Sequence, residues 1–144
     1  MNEQELLEKA IAIAVEAHKG QKDRYGAPYV LHPIRVMLRL RTPIEQMVGV
    51  LHDVVEDTDW SFEDLGREGF PQPVIEALRA VTKVEGEEYD DFVRRSARIP
   101  LARRVKLADL QDNMDLGRMP EITDKDLPRL QRYLKAWRFL QEEG

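Results

Sequence analysis

The chain contains no cysteine. Disulfides, thiolate metal sites and a thiol nucleophile are excluded together. It has no apolar run approaching the ~18 residues that a membrane-crossing helix needs. Its first residues, Met1-Asn2-Glu3-Gln4-Glu5, do not read as a signal-peptide start, and a soluble, cytoplasmic protein is the expectation. Positive charge is not in excess either. A net charge of −5 argues against a general binder of nucleic acid or of anionic membranes. A small anionic ligand remains compatible, because a bound cation and a few local arginines reverse the field within one cleft. Internal repeats, low-complexity tracts, linkers and sustained heptads are also missing. The 144 residues read as one domain, 1–144. A chain of this size buries roughly 68–70% of its unfolded surface and needs no staples.

What is present is helix nearly throughout, with weak strand signals, so the fold class is all-α, a compact bundle of short and medium helices. Residues 2–19 carry Leu6, Leu7, Ala10, Ile11, Ala14 and Ala17 on one face, behind a possible cap at Asn2. Residues 20–31 form a loop marked by Gly20, Gly26 and Pro28. A short helix is expected from His32-Pro33, with Pro33 at its first position. Thr42-Pro43-Ile44-Glu45 supplies a cap, a first-turn proline and a capping-box acid for the next. Ser61-Phe62-Glu63-Asp64 opens another in the same way. Further helices are expected from Pro71 to about Val84, near Tyr89–Ala97, from about Pro100 to Leu116, and from Thr123 to about Glu142.

The most informative stretch is His52-Asp53-Val54-Val55-Glu56-Asp57-Thr58. Read as part of one amphipathic helix, it buries Ile44, Met47, Val48, Leu51, Val54 and Val55. His52 then lies one turn from Glu56, and Asp53 one turn from both Glu56 and Asp57. Gly49, one turn earlier on that side, leaves room for another group. Alone, the same pattern also describes an ordinary solvated helix face. It acquires chemical meaning only if ligands elsewhere in the chain join it.

Two segments offer such ligands. His32 sits at a loop-to-helix junction before Pro33, which restricts it to extended geometry and stiffens it; a polar capping role fits the local sequence equally well. In Lys106-Leu107-Ala108-Asp109-Leu110-Gln111-Asp112-Asn113-Met114, the residues Lys106, Asp109 and Asn113 share a face while Leu107, Leu110 and Met114 pack. That face suits a metal ligand beside polar substrate contacts, though a surface Lys106–Asp109 ion pair is the commoner arrangement. His18, four residues after Ala14, reads as a packed, hydrogen-bonded core-edge histidine. The basic residues Arg94, Arg95, Arg98, Arg103, Arg104 and Lys106 are spread over two helices without aromatic interleaving, and read as solvated faces rather than a nucleic-acid patch.

Taken together, these residues resemble the HD-domain metal-dependent phosphohydrolases, and within them the hydrolase domain of the RelA/SpoT-type alarmone enzymes and the small alarmone hydrolases. Four blocks match in order: Ala17-His18-Lys19-Gly20-Gln21, Gly26-Ala27-Pro28-Tyr29-Val30-Leu31-His32-Pro33, Leu51-His52-Asp53-Val54-Val55-Glu56-Asp57-Thr58, and Lys106-Leu107-Ala108-Asp109 with Asn113-Met114. Val81-Thr82-Lys83 fits as well. The resemblance covers residues from about 5 to 140. It implies that His32, His52, Asp53 and Asp109 hold one divalent ion, usually manganese. Two imidazoles with two carboxylates also suit iron or zinc. It implies Glu56 and Asp57 as the catalytic acids, and Arg24, Lys106, Asn113, Met119 and Tyr133 as contacts to a nucleotide. The implied reaction removes the 3′-pyrophosphate of ppGpp, giving GDP and pyrophosphate.

Two departures stand out. The Arg-Lys pair usual after Gln21 reads Asp23-Arg24 here, which places an acid where phosphate would be bound. Leu116 replaces a position that is often polar in the pocket. A phosphohydrolase acting on another nucleotide, such as the 2′-phosphate of NADPH, and a non-catalytic nucleotide-sensing module therefore stand as alternatives. The chain ends before the synthetase and regulatory domains of the long members, so hydrolysis alone is the expectation.

Overall fold

The structure, a computed structural model, describes residues 1–143. Its helices are α1 (Glu3–Ala17), α2 (Leu31–Leu38), α3 (Pro43–Leu51), α4 (Val54–Asp57), α5 (Phe62–Arg67), α6 (Gln72–Ala80), α7 (Tyr89–Ala97), α8 (Pro100–Asn113) and α9 (Leu127–Glu143), with a 3₁₀ turn at Leu116–Arg118. Among the described residues the extended pairing is a lone antiparallel bridge, Lys22 with Pro28. No described helix is long and apolar enough to cross a membrane.

Local chemistry sets the starts of these helices. Asn2, Thr42 and Ser61 each accept from the backbone N–H three residues on, and Glu5, Glu45 and Asp64 return the bond to the cap backbone. These capping boxes satisfy donors that a helix end otherwise leaves unpaired. The end of α6 is closed from outside. Arg95 and Ser96, on α7, donate to the carbonyls of Arg79, Thr82 and Ala80, so α6 stops at Ala80, short of the expected Val84.

Helix α3 is the axle of the domain. Met47, Val48, Gly49, Val50 and Leu51 are all buried, because α1, α2, α6 and α8 pack around it. The main core gathers residues of these helices, including Leu6, Val36, Met47, Leu78 and Val105. A second, smaller cluster joins Val93 of α7, Leu110 of α8, and Ala136 and Leu140 of α9. Helix α8 therefore serves both clusters, with Ala102, Val105 and Ala108 on one face and Leu110 on the other.

The expected continuous His-Asp helix is broken. α3 ends at Leu51 and α4 begins at Val54. The His52 Nδ1 bonds the Gly49 carbonyl at 2.7 Å. That carbonyl is the one the Asp53 N–H would use in an unbroken helix, and a side chain competing for it ends the ladder. The room expected at Gly49 is filled by α2 and by Leu40 just beyond its end: a Cβ there would meet Leu40 Cδ1 at 2.6 Å and Met37 Cα at 3.4 Å. His32 is likewise not extended. The turn after Pro28 starts α2 at Leu31, His32 N–H bonds the Tyr29 carbonyl at 3.0 Å, and Pro33 falls third in the helix, still where a missing N–H costs nothing. α8 stops at Asn113 rather than Leu116, and α9 starts at Leu127 after a turn in which Asp126 accepts from Thr123 N–H at 2.8 Å.

Candidate active site

The break after Leu51 turns His52 and Asp53 toward α2 and α8. His32, from α2, and Asp109, from α8, come to the same point. His32, His52 and Asp109 are buried and each offers one ligand atom within 4.8 Å of the others. Asp109 Oδ1 lies 2.9 Å from His32 Nε2 and 3.3 Å from His52 Nε2. Asp53 Oδ2 lies 3.1 Å from His52 Nε2 and 3.8 Å from His32 Nε2. Metal–ligand bonds of roughly 2.0–2.2 Å put neighbouring ligands about 3 Å apart, which is the spacing seen.

One atom tests whether a cation fits. His52 Nδ1 is engaged by the Gly49 carbonyl, and its buried Nε2 has no hydrogen-bond partner while facing two carboxylate oxygens. A bare imidazole nitrogen against two acceptors is repulsive unless positive charge sits among them. The electrostatics say the same. Burial disfavours charge at all four groups. Even so, Asp53 and Asp109 push the His52 pKa well up, and Asp109 raises that of His32. Lys106 and the two histidines hold Asp109 well down, and His52 does so for Asp53. The donor set, two nitrogens and two oxygens, suits a borderline-hard divalent ion.

Around this point lies a cleft of about 560 Å³, within the usual range for a small-molecule site. Lys22, Arg24, Lys83, Lys106, Arg118, Arg129 and Arg132 line it, against the carboxylates Asp23, Asp53, Glu56 and Asp109. An acidic chain has thus gathered a surplus of cations in one place, and a divalent ion would add to it. Aromatic faces from Tyr25, Tyr89, Phe92 and Tyr133 complete the walls. Partial burial raises the Glu56 pKa, and the negative Asp53 and Asp57 raise it further, in the direction that suits proton transfer near neutral pH.

No protein-family model matches the chain. It is 35% identical over 121 residues to the GTP pyrophosphokinase of Streptomyces coelicolor, a match covering 75% of this chain and 14% of that protein. It is 32% identical over 122 residues to the guanosine-3′,5′-bis(diphosphate) 3′-pyrophosphohydrolase of Aquifex aeolicus, covering 76% and 17% respectively. A solved structure described as a metazoan ortholog of SpoT that hydrolyzes ppGpp and plays a role in starvation responses shares the fold. Its TM-score is 0.75 at 29% identity, over 93% of this chain and 84% of that one. Over about three quarters of its length the chain is thus similar to one segment of these enzymes, and it shares the fold of the SpoT ortholog. It spans only 14–17% of the length of those two curated relatives.

Most of the residues singled out in the sequence converge on this cleft. Lys106, buried, donates to Asp109 Oδ2 at 3.0 Å and stands 4.7 Å from the centre of the Phe92 ring. The pair is a buried one, not the surface arrangement. Asn113 donates to Asp109 Oδ1 at 3.2 Å. Arg24, Asn113 and Tyr133 line the cleft. Of the two acids, Glu56 lines it and Asp57 does not; Asp57 lies on the side of Tyr29 and His18. Met119 and Leu116 are not among the lining residues, because the 3₁₀ turn presents Arg118 there instead. Asp23 is not a free acid facing phosphate. Its Oδ1 accepts from Tyr25 N–H at 2.8 Å and Ala27 N–H at 3.0 Å, and its Oδ2 faces Arg118 at 3.4 Å. His18 is buried against Tyr29, with Nδ1 2.8 Å from Gln21 Oε1.

The sequence reading passed over Tyr29, Asp112 and Arg118. The Tyr29 hydroxyl donates to Asp53 Oδ2, fixing that carboxylate from the side of Asp57. Asp112 bonds His32 Nδ1 at 2.6 Å. A signal for Asp112 existed, since it lies three residues after Asp109. None existed for Arg118, which reaches the cleft only through the irregular turn after α8.

Proposed function

We propose that the domain is a divalent-metal-dependent nucleotide pyrophosphohydrolase, with manganese as the ion and a guanosine 3′,5′-bis(diphosphate) as the substrate. The observation that carries this reading is the meeting of His32, His52, Asp53 and Asp109 beside Glu56 on the floor of a cation-lined cleft. The description of the solved relative, which is said to hydrolyze ppGpp, and the name of the Aquifex aeolicus relative support it.

In this reading His32, His52, Asp53 and Asp109 hold the ion, which supplies an acidified water and a polarised phosphoryl oxygen when bound. Glu56 takes the proton of the attacking water. Water oxygen bonds to the phosphorus carried by the ribose 3′ oxygen, the P–O3′ bond breaks, and the ribose oxygen receives a proton. GDP and pyrophosphate result. Asp57, through its place beside Tyr29, keeps Asp53 and the water side of the site in register. Lys106, Arg24 and the other cleft cations bind the diphosphates as charge-assisted donors. Asn113 and Tyr133 meet the nucleoside.

The test is product analysis. The manganese-loaded protein is incubated separately with ppGpp, pppGpp, NADPH and simple nucleoside phosphates. Pyrophosphate and GDP from ppGpp are expected. Phosphate released from NADPH instead would replace the substrate with a 2′-phosphonucleotide, and silence across the panel would favour a non-catalytic nucleotide sensor.

A further inference from the structure

The buried carboxylate of Asp112 has no place in the ligand set, yet it is the most heavily engaged acid in the domain. It is fully buried on α8. Its Oδ2 lies 2.6 Å from His32 Nδ1. Arg35, on the same helix as His32, donates Nε to Oδ1 at 2.7 Å and Nη2 to Oδ2 at 3.1 Å. Arg118 donates to Oδ2 at 3.2 Å and to the Asp112 main-chain carbonyl at 2.9 Å, while its other amino group faces Asp23 at 3.4 Å.

We propose that Asp112 is a positioning residue for the metal centre: clamped by Arg35 and Arg118, it fixes the His32 ring with Nδ1–H bonded to carboxylate and Nε2 turned to the common ligand point. The proposal rests on the metal-centre reading above. A neutral imidazole has one N–H and one lone pair, so the group that accepts from one nitrogen decides which nitrogen can ligate. For His52 that acceptor is the Gly49 carbonyl, supplied by its own helix. α2 supplies none for His32, whose acceptor comes from 80 residues away. Two guanidiniums, Arg35 and Arg118, grip the Asp112 carboxylate beside its bond to the imidazole and keep it aimed at the ring. Through Arg118 and Asp23 the same clamp reaches the loop 22–28, so the ring orientation and the cleft loop are set by one network.

The test compares wild type with Asp112→Asn and Asp112→Glu. Asparagine keeps the shape but must turn an NH₂ toward either His32 or a guanidinium, both of which are donors. Manganese binding is followed by the spin resonance of the free ion, and folding by circular dichroism. The expected result is a folded Asp112→Asn that binds manganese roughly 10–100-fold more weakly, the usual worth of such an outer partner, with part of the affinity recovered in Asp112→Glu. Nitrogen-15 spectra of the zinc-loaded wild type should show His32 protonated at Nδ1. That measurement decides the matter even if neither variant folds. Unchanged manganese affinity in folded Asp112→Asn, or a proton on His32 Nε2 in the zinc form, would overturn the proposal. If His52→Ala abolishes manganese binding while Asp112→Asn leaves it intact, only this inference falls. If wild type itself binds no manganese, the metal-centre reading falls with it.

Discussion

Gly49 lies so close to Leu40 that a methyl group on it would stand 2.6 Å from the leucine Cδ1. The glycine is the contact that lets α2 settle onto α3, and α2 carries His32.

Gly49→Ala sets two effects against each other. Alanine gains up to about 1 kcal/mol of helix propensity. Overpacking costs about 1–3 kcal/mol, and here the Leu40 side chain that must move aside is itself buried in the core. The expected outcome is a net loss of stability of about 1 kcal/mol in urea titrations, together with weaker manganese binding as His32 shifts. A variant more stable than wild type would show that the glycine is not a packing requirement.

Glu56→Gln should lower turnover roughly 10²–10⁴-fold, the usual contribution of a positioned base, while manganese binding stays as in wild type. His52→Ala should instead remove the metal. Steady-state rates measured beside metal stoichiometry separate the two. Near-normal turnover of a metal-replete Glu56→Gln would end its assignment as the base.

Asp23→Arg would add a cation to the cleft wall, but the geometry predicts loss rather than gain. The aspartate closes its own loop through Tyr25 and Ala27 and faces Arg118. Arginine removes both loop bonds and sets two cations together. KM should rise several-fold with the fold retained; a lower KM would mean that the loop tolerates the loss and that charge decides.

Glu45 gives a pH signature. Burial would raise its pKa, but the N–H groups of Arg41 and Thr42 and the guanidinium of Arg104, 2.6 Å away, hold it below the usual glutamate value. A lowered folded pKa means stabilisation that is full above the unfolded value of about 4.3 and is lost as pH falls through the folded value. Glu45→Gln should therefore be less stable than wild type near neutral pH, and the gap should close as pH drops below about 4. A gap that does not change with pH in denaturant titrations would show that the carboxylate contributes no charge-dependent stability.

The contrast between Glu45 and Asp112 shows what the sequence could reveal. Glu45 works within its own first turn, and Thr42-Pro43-Ile44-Glu45 announces it. The all-α class and the range of α7 were legible in the same local way. The break after Leu51 was not, because it depends on a histidine ring choosing the Gly49 carbonyl, a choice fixed by where α2 and α8 place their ligands. Asp112 showed only its place three residues after Asp109, and the roles of Asp112 and Arg118 were hidden for a similar reason. Their partners are remote, and the turn that turns Arg118 inward has no periodic pattern. The same turn brings Arg118, rather than the neighbouring Met119, to the lining of the cleft.

The two apolar clusters have a consequence for how such a domain can diverge. The proposed cation ligands stand on α2, on α8 and in the break after α3, seated by the larger cluster, whereas Tyr89, Arg132 and Tyr133 stand on α7 and α9, over the smaller one. Substitutions in the smaller cluster can reshape the aromatic wall of the cleft without moving a ligand atom. Choice of guest and retention of the ion are therefore separately adjustable, with α8 as the hinge of heredity between them.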